Sequence, residues 1–266
     1  GARARRRTDR TGDREDMAGR TLLVGLAHPD DEVGAAGTIL AQKARGDRVV
    51  IVWLTRGEMT EAFGPIPETE VARLREEQGH RAGEILGVET RFMSFRDTRL
   101  ESTVEAAREV AQVIAEVRPD GILTWGDAWL RGMRHPDHQA CGRIFRDAVT
   151  LARIAKVVAP APPHREMAPV FTYRDLHSPL PLVAVDVEPY LDTIHELARF
   201  YFERIRFGDP DWIDQRLRRA GEPFGLRYAE VFDAWESRPG VVPALLPAEI
   251  ADEGAIHPDR KAEVTG

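Results

Sequence analysis

The chain has 266 residues, 42% hydrophobic and 30% charged, with a formal net charge of −7 and a single cysteine, Cys141. This composition supports the buried core of one α/β domain and excludes global disorder. The acidic balance disfavours nucleic-acid binding. One cysteine excludes an intrachain disulfide and a cysteine-rich zinc site, and it fits a reducing, cytoplasmic setting. No apolar run approaches the roughly 20 residues that span a bilayer, so no membrane association is expected.

Residues 1–19 are polar and non-periodic, with Met17 near their end. They read as a disordered extension, or as residues upstream of a start at Met17. From residue 21 short apolar runs alternate with amphipathic segments, the pattern of βαβ units. Strands are expected over 21–27, 48–54, 91–95, 121–125, 169–173 and 182–187. Helices are expected over 33–45 (closed by Gly46), 68–86, 103–117, 137–152 and 189–207, the last with proline in its first turn. The proline-rich stretch 157–169 reads as a loop. The predicted fold is a Rossmann-like, mostly parallel sheet flanked by helices, in a single domain over 20–238. Residues 239–266 read as a tail, whose apolar, proline-broken 241–247 segment suits packing on a neighbouring surface or subunit; a homo-oligomer is compatible with this.

Polar clusters follow each of the first four expected strands: His28 to Asp31, then Arg56 to Glu58, then Asp97, then the group around His135. In an open α/β sheet the carboxyl ends of the strands are where ligands bind. The first cluster, Ala27-His28-Pro29-Asp30-Asp31-Glu32, places an imidazole and a carboxylate three residues apart at a strand-to-helix turn. They can converge on one cation, leaving the neighbouring carboxylate for proton transfer. Taken alone, the acids would equally suit a helix N-terminus. The second cluster, His135-Pro136-Asp137-His138, repeats the pattern at another strand end. Two histidines with one or two carboxylates suit Zn²⁺, with Fe²⁺ or Mn²⁺ as alternatives. Three protein ligands and one open position mark a catalytic metal. From the residues themselves the expectation is a metal-dependent hydrolase, and the spacing permits either Asp30 or Asp31 as the ligand.

The two motifs, in this order and at this separation, resemble the PIG-L / LmbE-like zinc-dependent de-N-acetylases. Gly34 to Thr38, Leu54 to Glu58, Arg75 with Ala82 and Ile85 to Val88, Asp97 with Leu100, and Arg118 to Asp120 extend the similarity over about residues 20–235. The resemblance implies His28, Asp31 and His138 as zinc ligands and Asp30 as general base. It implies His135 at the oxyanion with Asp137 orienting it from behind, and Arg75 and Asp97 on sugar hydroxyls. It also implies an N-acetylglucosamine-type amide as substrate, with acetate and a free amine as products. Arg134 stands where the family often has Gly, Met133 where some members carry an aromatic hydroxyl, and Gln78 where many have Glu. Rival readings are hydrolysis of a different amide such as a thiol conjugate, hydrolysis of a phosphoester, or a non-catalytic sugar-binding module. A phosphoesterase would favour two metals and more carboxylates.

Several residues admit two readings. The 58–70 segment is a lid or a plain surface loop. Arg56 and Glu58 frame the pocket or form a solvated turn, and His177 lies in a later loop within reach of the site. Trp125, Trp129, Trp212 and Phe207 line a pocket or pack elsewhere, with core packing favoured for Trp125. Specificity is expected from the 58–70 loop, the 126–134 loop and the region after 160.

Overall fold

Strand β1 (Thr21–Leu26) is apolar on both faces, as a parallel strand covered by helices on each side must be. Leu22, Val24 and Leu26 enter one core and Leu23 the other. The same alternation runs through β2 (Arg48–Trp53), where Val49, Ile51 and Trp53 join the first core and Val50 and Val52 the second. The structure, a computed structural model, describes residues 19–126 and 134–252. The expected N-terminal extension apart from residue 19, the interior of the 126–134 loop with Trp129 and Met133, and the end of the chain with His257 lie outside those residues.

The remaining strands are β3 (Glu89–Phe92), β4 (Gly121–Thr124), β5 (Val170–Tyr173), β6 (Leu182–Asp186), β7 (Ala229–Ala234) and β8 (Gly240–Val242). They form one eight-stranded sheet in the order β3-β2-β1-β4-β5-β7-β6-β8. Only β7 runs against the others, being antiparallel to both β5 and β6. The sheet is thus mostly parallel, as expected. Helices α1 (Ala36–Ala44), α2 (Glu68–Leu86), α6 (Leu191–Ile205) and α7 (Pro210–Gly221) cover one face; α3 (Val104–Val117), α4 (Pro136–Leu151) and α5 (Ala155–Val158) cover the other.

Strand order reverses between β1 and β4, which are paired in parallel register, Gly25 opposite Thr124. A crevice opens at such a switch point, outside the carboxyl ends of the two strands. The first motif follows β1 and the second opens α4, the helix after β4, with His135 at its N-cap, so topology delivers both to one place.

Some expectations are revised. The strand expected over 91–95 lies earlier, at Glu89–Phe92, because Gly87 in the left-handed region closes α2 and lets the chain enter the sheet at once. The helix expected from Val33 starts with a 3-10 turn over Asp31–Ala35 before α1, and a 3-10 turn over Glu188–Tyr190 precedes α6. The proline-rich loop begins inside α5. Helix α7 and strands β7 and β8 were not anticipated. The segment after 239, expected as a tail suited to a neighbouring surface, joins the sheet edge in its own chain: β8 pairs in parallel with β6, and Ala244, Leu245 and Leu246 are buried. Gln42 fixes it there, its Oε1 accepting from Leu246 N and its Nε2 donating to the Leu246 carbonyl, both at 3.0 Å.

Candidate active site

The turn after β1 is closed by its own acid. Asp31 Oδ2 accepts from the backbone N–H groups of Ala27 at 3.0 Å and His28 at 2.9 Å, and from Trp125 Nε1 at 2.9 Å. Tyr173, at the end of β5, donates its hydroxyl to the Asp31 carbonyl at 2.8 Å. With Oδ2 saturated, Oδ1 faces His138 Nε2 at 3.2 Å. Burial would raise the Asp31 pKa, but His138 and His28 overcome it and hold the carboxyl well below its ordinary range. His138 lies flat on Trp125, the ring centroids 3.8 Å apart and 6° from parallel.

His28 is buried against three carboxylates. Its Nε2 lies 3.1 Å from both Asp97 Oδ1 and Asp137 Oδ2, and its Nδ1 lies 3.8 Å from Asp31 Oδ2. Burial alone would lower its pKa; contacts with Asp137, Asp31 and Asp97 push it up to about 12. The local field therefore favours positive charge at this point. His28, His135 and His138 each offer a nitrogen within 4.8 Å of the others, and the imidazole nitrogens and carboxylate oxygens of a second group, His28, Asp97, His135 and Asp137, lie equally close. Together with the Asp31–His138 contact, these are nitrogen and oxygen donors of the kind that suits a divalent transition ion. The residues present fit a metal.

Asp30 stands beside this group, lines the same cavity, and is held by a different partner. Its backbone is left-handed, φ 102°, a conformation uncommon outside glycine that places successive carboxylates in different directions. Arg75 Nη2 donates to Asp30 Oδ2 at 2.7 Å and also to the Pro29 carbonyl, while Arg75 Nη1 donates to Gln78 at 2.7 Å. The backbone N–H of Asp30 donates to Glu32 Oε2 at 2.9 Å. Glu32 in turn accepts from Trp53 Nε1 at 3.2 Å and from the Tyr201 hydroxyl at 2.5 Å. Burial and the Asp31 charge push the Asp30 carboxyl up to about 6, with Arg75 and His28 working against them.

The remaining expected site residues lie at the same centre, with different contacts from those anticipated for some. Asp137 directs its carboxylate to His28 Nε2, Thr98 N and Leu100 N, while His135 Nδ1 accepts from the Asp137 backbone N–H at 3.2 Å. Burial and the His28 charge lower the His135 pKa. Arg75 lines the cavity, yet most of its reach goes to Asp30 and Pro29. Asp97 touches His28 and accepts from Met59 N at 2.9 Å, and its own N–H donates to Glu58 at 2.9 Å, which ties the 58–70 segment to the centre. Arg56 lies outside the cavity, paired with Glu76 and the Met93 carbonyl. His177, Phe207 and Trp212 line the cavity; Cys141 is a buried core residue. Tyr173, Tyr201 and Glu230 were not foreseen as cavity or supporting residues, since single polar groups on otherwise apolar strands and helices carry no local signal.

Fold and donor set together define an α/β protein with a His/Asp cluster able to hold a metal ion at the sheet's switch point and a separately held carboxylate beside it. Residues 23–149 match the family PIG-L, described as GlcNAc-PI de-N-acetylase, and over those residues the chain is similar to that family. Among curated relatives, it is 37% identical over 153 residues to a diacetylchitobiose deacetylase of Thermococcus kodakarensis, a match covering 55% of this chain and 57% of that one. It is 32% identical over 178 residues to a 1D-myo-inositol 2-acetamido-2-deoxy-alpha-D-glucopyranoside deacetylase of Catenulispora acidiphila, covering 55% and 52%. The chain thus spans about half the length of the curated relatives it matches. The fold is shared with N,N'-diacetylchitobiose deacetylase from Pyrococcus horikoshii, with TM-score 0.72, 23% identity and coverage of 85% and 86%. It also resembles a conserved protein from Thermus thermophilus, with TM-score 0.66, 29% identity and coverage of 82% and 94%. Among the described residues no helix is long and apolar enough to cross a membrane.

Proposed function

We propose that the chain is a metal-dependent de-N-acetylase that hydrolyses the acetamide of an N-acetylglucosamine-type sugar, with Zn²⁺ as the ion. The observation that carries this reading is the division of labour between adjacent acids: Asp31 Oδ1 faces His138, while Asp30 is rotated onto Arg75. A site that only bound a metal or a sugar would have no use for the second carboxylate.

His28, Asp31 and His138 would hold the ion. When bound, it supplies a water of pKa near about 7 and a Lewis acid for the amide carbonyl. Asp30, fixed by Arg75 and by Glu32, accepts the proton of the attacking water. His135 donates to the oxyanion that forms on the former carbonyl oxygen. Asp30 then returns the proton to the amide nitrogen, so that a neutral amine and acetic acid leave, the acid giving its proton to solvent to become acetate. Asp97 and Asp137 share His28 and are further occupied by backbone N–H groups, which supports one ion rather than the two of a phosphoesterase.

Zinc-loaded protein with an N-acetylglucosaminide is expected to release acetate and a primary amine in equal amounts. Asp30→Asn should abolish turnover with the metal retained, and His138→Ala should lose one metal equivalent. Full activity in Asp30→Asn would overturn the assignment of the base, and two metals per chain would favour the phosphoester reading. A different acyl amide, such as a thiol conjugate, would appear as amine release from that amide alone.

A further inference from the structure

The centre described above occupies one end of a cavity of about 1120 Å³. That is larger than the roughly 300–1,000 Å³ usual for a small-molecule site. The far wall comes from the β5 end and α7, both outside the family-matched residues. It carries three arginines beside His177 and the acids Asp175 and Glu230: Arg174 follows β5, and Arg216 and Arg219 lie three residues apart on one side of α7. Ile213 and Leu217, beside them on that helix, are buried in the core and also line the cavity, which fixes this stretch of α7 against it. Trp212 and Phe207, both largely exposed, add two aromatic surfaces to the wall.

Arg216 is the unusual member. Its Nε and Nη2 are buried and make no hydrogen bond among the described residues. Its guanidinium lies 5.7 Å from the Trp212 ring, a contact that leaves the N–H edge free. Glu230, the acid whose charge it feels, directs Oε1 to Gly37 N and Oε2 to Thr38 N instead. Nε and Nη2 form one side of the planar guanidinium fork, the pair that binds a carboxylate or phosphate through two parallel hydrogen bonds. Leaving such a pair buried without acceptors is costly, and the cavity is where an acceptor can enter.

We propose that Arg216 anchors an oxyanion subsite of the catalytic cavity, so that the substrate carries a phosphate or carboxylate beyond its acetamido sugar. The proposal rests on the deacetylase reading for the identity of the sugar and on Arg216 for the anion.

Calorimetric titration of the zinc-loaded full chain with three deacetylated sugars tests it without turnover: glucosamine 1-phosphate, muramic acid and methyl glucosaminide. At least one of the two anionic sugars is expected to bind about tenfold or more tighter than the neutral one. Which of them does so separates phosphate from carboxylate. The advantage should vanish in Arg216→Gln and survive in part in Arg216→Lys. In wild-type protein it should shrink as NaCl rises from about 0.05 to about 0.5 M, a readout that does not depend on any variant folding. Equal affinity for all three sugars, or an anionic advantage unchanged in Arg216→Gln or by salt, would overturn the subsite. Acetate release assayed in parallel keeps the two ideas apart. Release without anionic preference sinks only the subsite, whereas anionic preference without release from any N-acetylated sugar sinks only the deacetylase reading.

Discussion

Arg75, in the middle of α2, reaches 45 positions back along the chain to hold Asp30, its Nη2 donating to Oδ2 at 2.7 Å. The resemblance of the motifs to a known family implied a sugar contact for this arginine. Its contacts fit a positioning role for the proposed base, because the same nitrogen also donates to the Pro29 carbonyl in the turn that carries Asp30. Arg75→Met is expected to lower kcat by about 10- to 100-fold with KM and bound metal nearly unchanged, as misplacement of a reacting group by about 1 Å does. Steady-state kinetics with metal analysis decides: a raised KM with unaltered kcat would restore the substrate contact.

Trp125 supports the ion site in two ways, stacking on His138 and donating to Asp31 Oδ2. Trp125→Phe separates them, since the ring remains and the donor is lost. Without the indole N–H, one of the three donors that saturate Oδ2 is gone and Oδ1 is less firmly directed at His138. Partners of this kind typically contribute about 10- to 100-fold in metal affinity. Competition with a chelator of known affinity should show a fall of that size in Trp125→Phe. An unchanged affinity would mean that the two backbone N–H groups suffice.

The first half of the chain was legible because each of its elements carries its own signal. Apolar runs long enough for buried strands, Gly87 after α2, and the paired His-Pro-Asp motifs at strand ends are local features, and they pointed to the carboxyl ends of the first four strands without giving the strand order. What escaped depends on partners distant in sequence. Strand β7 buries Glu230 and Asp233, acids that argue against a strand until the N-terminus of α1 and the Asp175 backbone N–H are seen to satisfy them. Helix α7 is strongly charged, with only Ile213 and Leu217 as its core stripe. The contacts of Asp137 with His28 and with the 98–100 turn were equally out of reach, because spacing can bring side chains to one place without fixing which pairs form.

Gly142, one turn beyond His138 on α4, is where the helix meets the end of β4. A Cβ at this position would stand 2.0 Å from the Trp125 carbonyl oxygen, a backbone atom that has no rotamer to move. Gly142→Ala gains helix propensity but must push α4 away from the strand. Overpacking of this kind costs about 1–3 kcal/mol. The fall in Tm should be several degrees for a domain of this size. Because the displaced helix carries His138, metal affinity should fall in the same variant. A stable Gly142→Ala protein with unaltered metal affinity would contradict this packing.

Glu230 provides the pH test. Its buried carboxylate accepts from Gly37 N at 3.0 Å and Thr38 N at 2.7 Å, at the positive end of α1. Burial is the larger influence and raises its pKa, with the hydrogen bonds to Thr38 and Gly37 opposing. A carboxyl whose folded pKa lies above its unfolded value binds its proton more tightly when folded. The resulting stability is fully present below the ordinary glutamate value of about 4.3 and is lost as pH rises through the raised folded value. Glu230→Gln abolishes this dependence and leaves one of the two amide donors without an acceptor, at a cost of about 1–3 kcal/mol that does not vary with pH. Urea unfolding of both proteins from about pH 4.5 upward should therefore show the variant less stable in acid and the gap narrowing as pH increases. The other carboxyls cancel in the comparison. A gap that widens with pH would mean that the helix N-terminus outweighs burial and that Glu230 is held as a full anion.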